Sequence, residues 1–126
     1  MGKLRHIALY ADDIEATAGF YQKVFSMERV RQLDYVITLS DGVVSLAIVD
    51  ARKSKSGSKG LDHIGFLVDD MEAAAVKLEV SGGVHCGQIS KTTADSNIER
   101  IYQAPDRLVF DIVTNEHARP LWDIQV

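Results

Sequence analysis

Leu61-Asp62-His63-Ile64-Gly65-Phe66-Leu67-Val68-Asp69-Asp70-Met71-Glu72 repeats an earlier stretch, Leu4-Arg5-His6-Ile7-Ala8-Leu9-Tyr10-Ala11-Asp12-Asp13-Ile14-Glu15. The offset is a constant 57 residues, the separation of His6 and His63, and it carries Asp12-Asp13 onto Asp69-Asp70 and Glu15 onto Glu72. A histidine and a double aspartate kept in one register mark a unit used twice. Two copies are too few for a solenoid, so a pseudo-twofold domain of two paired halves is expected.

Each copy opens with alternation. Leu4, His6, Ala8 and Tyr10 point one way, and Ile7, Leu9 and Ala11 the other. That is a strand with one strongly apolar face and His6 on the opposite one. Asp12 or Asp13 then caps a helix, with Asp12 and Glu15 at capping-box spacing. Ile14, Thr17/Ala18, Tyr21 and Val24/Phe25 form its expected buried stripe, ending near Ser26. Strands follow at Glu28–Leu33, Asp34–Leu39 and Val43–Asp50, with an Asp41-Gly42 turn between the last two. The second copy has a strand at Leu61–Val68, a helix over Asp69–Val80 with Met71, Ala74/Ala75 and Leu78 inward, and a stop at Gly82-Gly83. Its further strands are Val84–Ser90, Ile98–Ala104 and Leu108–Thr114, with a polar loop at Lys91–Asn97 and a Pro105-Asp106-Arg107 turn.

The expected organisation is one domain over residues 1–126. Module one covers 3–50, a basic Ser/Gly-rich linker 51–60, module two 61–115 and a tail 116–126 without clear period. The linker reads as a solvated connection or as a flap whose Lys53, Lys55 and Lys59 attract an anionic substrate. Leu121, Trp122 and Ile124 imply that the tail packs on its own domain or on a partner.

Composition sets limits. With 46% hydrophobic residues and 25% charged ones the chain reads as a globular protein able to bury a core without disulfides. A net charge of −4 argues against nucleic-acid or anionic-membrane partners. No window reaches transmembrane length. A lone cysteine, Cys86, and a start lacking signal-peptide or myristoylation features place the expectation in the cytoplasm.

By alternation, His6, His63 and Asp111 all fall on the sheet face away from the helices, where curling sheets would let them meet. A lone strand histidine is more often structural, but two at equivalent repeat positions point to a shared site. Glu99 and Arg100 on the preceding strand read as the site's polar wall or as a solvated cross-strand pair, and Tyr10 and Tyr35 as cavity residues. His85 and His117 match no such position.

Two βαβββ units with a histidine in each first strand resemble the vicinal oxygen chelate superfamily of glyoxalases, bleomycin-resistance proteins and extradiol dioxygenases. The resemblance runs from Lys3 to about Asn115, through Leu4-Arg5-His6-Ile7, Phe20-Tyr21 with Phe25, Leu61-Asp62-His63-Ile64-Gly65 and Tyr102-Gln103-Ala104-Pro105-Asp106-Arg107-Leu108-Val109-Phe110-Asp111. It implies an α+β fold in which two paired modules form a curled mixed sheet around a cavity. It also implies a divalent ion, Fe, Mn, Ni or Zn, held by His6, His63 and Asp111. The implied function is a metal-dependent lyase, isomerase or dioxygenase chelating adjacent oxygens of a small substrate. The alternative is a metal-free sequestering protein of the bleomycin-resistance type. Tyr102 is the candidate catalytic residue, with Tyr10, Tyr35 and Arg100 as substrate contacts, and a homodimer is expected.

Three departures stand out. Asp111 replaces the family's usual glutamate, and Arg107 the usual turn glycine. No carboxylate stands at Ser45, Leu46 or Ala47, where the first module would supply a further ligand. The glyoxalase I and epimerase ligand sets are therefore incomplete. No histidine lies between His6 and His63, where ring-cleaving dioxygenases carry an acid–base histidine.

Overall fold

The computed structural model describes residues 2–54, 57–89 and 99–122. Module one comprises β1 (Lys3–Ala11), α1 (Ile14–Phe25), β2 (Glu28–Leu33), β3 (Val36–Ser40) and β4 (Ser45–Asp50). Module two comprises β5 (Gly60–Val68), α2 (Met71–Val80), β6 (Val84–Ile89), β7 (Glu99–Gln103) and β8 (Val109–Thr114), and α3 (Asn115–Trp122) follows. The strands form one sheet in the order β2-β3-β4-β1-β5-β8-β7-β6. The fold is α+β, a curled and unclosed sheet, as the family resemblance implies. The modules join where β1 and β5 pair antiparallel, with β1 parallel to β4 and β5 parallel to β8.

Both helices start on the second aspartate of each pair. Asp13 accepts a hydrogen bond from the Ala16 N–H at 3.0 Å, and Asp70 one from Ala73 at 3.1 Å. Each satisfies a backbone donor that the helix cannot, contributing about 1 kcal/mol. Asp12 caps nothing and instead pairs with Lys59 at 2.8 Å, while Glu15 binds Arg29 at 2.9 Å. The Asp12–Glu15 capping box is thus replaced by an Asp13 cap. Helix α1 stops where Ser26 turns left-handed, at φ 56°. At the Asp41-Gly42 turn, Gly42 takes φ 92° and Asp41 accepts from Val43 and Val44. Arg107 takes φ 72°, the backbone state that favours the glycine it replaces.

The core divides by module. Under α1 lie Ala11, Ala18, Ile37, Leu39 and Ile48, joined by Leu9, Ile14, Tyr21, Met27 and Leu46. Val24 and Phe25, expected inward, are exposed, because the packed stripe ends at Tyr21. Under α2 lie Val68, Ala75, Tyr102 and Ile112 with Phe66, Met71, Ala74, Leu78 and Phe110. The tail, unreadable by period, forms α3 and folds back on the other face, packing Ala118 and Trp122 on Leu67 and Val113. In the linker, Lys53 lies over the Tyr35 ring and Lys59 is held by Asp12. Lys55 and the Lys91–Asn97 loop lie outside the described residues. No helix among the described residues is long and apolar enough to cross a membrane.

Candidate metal centre

Strand register puts the three expected residues together. His6 pairs with Gly65 across the module junction, His63 with Ala8, and Asp111 with Gly65 on the other side. Directly paired residues share a face, so all three point away from α1 and α2. They offer one ligand atom each, all within 4.8 Å of one another. His6 is 7% exposed and Asp111 3%, while the His63 side chain keeps 21% of its surface.

A bulge precedes each histidine. Between the pairs Leu4–Phe66 and His6–Gly65, β1 carries the extra residue Arg5. Between Ala8–His63 and Leu9–Leu61, β5 carries Asp62, which is 57 residues further on. A bulge re-aims the side chains beside it. Asp62 thereby reaches its neighbour, with Oδ2 2.5 Å from His63 Nδ1. Arg5 has no acceptor to offer, and His6 Nδ1 takes the Ser45 hydroxyl instead, at 3.3 Å. His63 Nε2 lies 2.9 Å from Asp111 Oδ2.

These surroundings separate the two imidazoles. Burial, with the charge of His63, lowers His6 to about 4, leaving it neutral at physiological pH. Burial also works to lower His63, but hydrogen bonds and charge from Asp111, and behind it Asp62, outweigh this and raise it to about 9. His63 is then an imidazolium donating from both nitrogens. For Asp111, burial acts upward, hydrogen bonds with His63 and Glu99 act downward, and the downward effect prevails. Glu99 is 5% exposed. Burial, then its hydrogen bond to Asp111 and the charge there, push its carboxyl up and keep it protonated at neutral pH.

Trp122 covers this cluster. Its ring stacks on His6 with centroids 4.9 Å apart and planes 7° off parallel, and its side chain hydrogen-bonds Glu99. The approach requires Gly65. A Cβ there would stand 2.8 Å from a Trp122 ring carbon and 2.9 Å from the His6 Cβ.

Other sequence candidates go elsewhere. Tyr102 pairs with Phe110 and packs under α2, on the far side of the sheet from Asp111. Arg100 pairs with Ile112 on that same face and binds Glu72 of α2. Glu99 and Arg100 are therefore on opposite faces, and neither is a solvated cross-strand partner of the other. Tyr35 is exposed in the turn between β2 and β3, level with Asp50 and about 17 Å of strand from the His6 end of the sheet. Tyr10 shares the His6 face, and Asp62 lies near enough to raise its hydroxyl pKa, after burial. His85 packs on Tyr102, and His117 faces Glu116. Sequence reasoning assigned no site role to Asp62 or Ser45, and to Trp122 only a packing one. The replacement of Ala8 by Gly65 in the repeat was the one local sign of a close approach.

The donor set fits a divalent ion. Two cis ligands at about 2.1 Å from an ion stand about 3 Å apart, close to the His63–Asp111 separation already present. Ala47, paired with Ala8, is the register equivalent of Asp111, paired with Gly65. The first module thus offers a methyl group where the second offers a carboxylate.

A two-module sheet with a His/His/Asp cluster on its concave face defines the class. Residues 3–112 match the Glyoxalase/Bleomycin resistance protein/Dioxygenase superfamily, and the chain belongs to that family. The fold is similar to a hypothetical protein from Bacillus halodurans C-125, at TM-score 0.71 and 13% identity over 90% of this chain and 94% of that one. It is also similar to the Mn(II)-bound glyoxalase from Novosphingobium aromaticivorans, at TM-score 0.71 and 17% identity, covering 89% of this chain and 38% of the other. Methylmalonyl-CoA epimerase from Mycobacterium tuberculosis aligns at TM-score 0.64 and 16% identity, covering 88% and 86%. No curated protein matches the sequence.

Proposed function

We propose that the protein is a divalent-metal-dependent enzyme acting on a small substrate through two adjacent oxygens. The observation that carries this reading is the convergence of His6, His63 and Asp111 on one concave, largely buried point. Ser45 and Asp62 engage the Nδ1 atoms, which leaves Nε2 of each ring for an ion. The ion would supply Lewis acidity, with positions beyond three protein ligands free for substrate oxygens. Fe(II), Mn(II), Ni(II) and Zn(II) all suit two imidazoles and a carboxylate. His63 must give up its Nε2 proton on loading, so uptake weakens as pH falls. Tyr10, beside Asp62, is the proposed substrate contact, and a homodimer the proposed assembly.

The test is metal content after tag-free purification, followed by Mn(II) titration read by water-proton relaxation. One equivalent should bind, and an α-hydroxy ketone or a catechol should displace inner-sphere water. No uptake of any of the four ions near neutral pH rejects the enzyme. The Trp122 stack on His6 and the methyl of Ala47 favour a second reading, a metal-free binding protein. Tight ligand binding by metal-free protein, unaltered in His63→Ala, would establish it.

A further inference from the structure

A cavity of about 650 Å³ opens on the opposite side of the sheet, between α2 and the strands β5 and β8. Ile64, Phe66, Phe110 and Ile112 form its floor, with Ala74 and Leu78 of α2 above. These floor residues alternate with His63, Gly65 and Asp111, so the cavity and the metal centre lie back to back on the same two strands. The size is that of pockets that take ligands of one to three rings, roughly 300–1,000 Å³.

The first module shows what this space accepts. Under the 57-residue repeat, Leu78 corresponds to Tyr21, Gly82 to Phe25 and Val84 to Met27. Tyr21 and Met27 pack on the buried cluster of Ala11, Ala18, Ile37, Leu39 and Ile48, as do Leu9 and Leu46, the counterparts of Phe66 and Phe110, so the equivalent space is filled from within the chain. In the second module the aromatic ring and the thioether are absent, and two phenylalanine rings face the opening instead. The Phe66 and Phe110 rings meet edge to face, with centroids 5.9 Å apart, which presents aromatic surface to a third ring. Among the lining residues, Lys77, Asp62, Asp106 and His63 bear ionisable groups. Asp62 is engaged by His63 and Asp106 accepts from the Leu108 N–H, so these groups do not form a one-sign surface that would select an ion.

We infer that this cavity is a binding site for an uncharged, ring-bearing apolar small molecule, separate from the metal centre. The ligand fills the volume that Tyr21 and Met27 fill in the other module, with its ring against Phe66 and Phe110. It gains affinity from the apolar surface taken out of water, at about 25 cal/mol per Å² before the cost of association.

The probe is N-phenyl-1-naphthylamine, a neutral ring compound whose fluorescence rises out of water. The wild-type protein should bind one equivalent saturably. Leu78→Tyr, which restores the first module's residue, and Ala74→Phe should each weaken binding at least tenfold while leaving circular dichroism intact. Asp111→Ala, which alters the metal centre at a residue that does not line the cavity, should bind the probe like wild type, which separates this site from the metal reading. Absence of saturable binding by wild type, or undiminished binding by both filled variants, overturns the inference. So does a wild-type dimer that Leu78→Tyr converts to monomer in light scattering, since the cavity would then be covered by a second copy.

Discussion

Arg5 and Asp62 occupy one place in the two modules, the extra residue of a bulge just before the histidine. The cation cannot partner the imidazole beside it and the carboxylate can. His6 is left neutral against a serine hydroxyl, while His63 sits between two carboxylates. The same division runs through the sheet. The first module fills the space under its helix with Tyr21 and Met27 and presents Ala47 to the concave face. The second leaves a cavity under its helix and presents Asp111. The two modules share one scaffold, and the side chains at equivalent positions make one a packed half that gives His6 to the cluster and the other an open half that gives it His63 and Asp111.

The two modules differ most in consequence at the carboxylate. Asp111→Ala should abolish stoichiometric metal uptake, a loss exceeding the roughly 10–100-fold that follows removal of groups merely orienting a ligand. Ala47→Asp adds a second carboxylate at the related position and should tighten uptake. Calorimetric titration with Mn(II) or Zn(II) reads both, and an unchanged affinity in Asp111→Ala would remove Asp111 from the ligand set.

Trp122→Ala comes next. It removes the stack on His6, the hydrogen bond to Glu99 and the cover over Gly65. It should cost about 3–5 kcal/mol of folding stability, as for other buried tryptophans, measured by urea unfolding. A cost below about 1 kcal/mol would mean that α3 does not hold the concave face closed.

The unequal histidines predict opposite dependences of stability on pH. His6 falls from 6.5 in the unfolded chain to about 4 when folded. The unfolded state therefore takes up a proton first, and stability drops as pH falls from 6.5 towards 4, by roughly 3 kcal/mol. His63 rises to about 9. Its contribution is full below pH 6.5 and is lost as pH rises towards 9. The Glu99 carboxyl, pushed up to about 9, offsets the His6 limb above pH 4.5 and adds to the alkaline loss, so the thermal unfolding temperature of metal-free protein should fall steadily above pH 6.5. His6→Gln should raise stability at the acid end relative to wild type and His63→Gln should shrink the alkaline loss, and exchanged effects would reverse the assignment.

The smallest effect tests sameness. Asp13→Ala and Asp70→Ala each remove one helix cap and should each cost about 1 kcal/mol in chemical denaturation. Costs differing by more than about 1 kcal/mol would show that the modules differ in their scaffolds as well as in their site residues.

The sequence by itself determined the repeat, the strand and helix order, the caps within one residue, and the face on which His6, His63 and Asp111 stand. These are local properties, set by period-two and helical alternation and by turn residues, and the repeat doubled each signal. Tyr102 and Arg100 pair with Phe110 and Ile112 and so lie under α2, on the face opposite Asp111, because it is Ile101 that the β7–β8 register sets beside Asp111. Only the tertiary structure decided the partner of each histidine, the burial of Glu99, the seat of Trp122 and the cavity under α2. Each depends on register between strands far apart in the chain or on a tail with no period of its own. A bulge of one residue, which hydropathy does not reveal, decides whether a side chain meets its neighbour or the solvent.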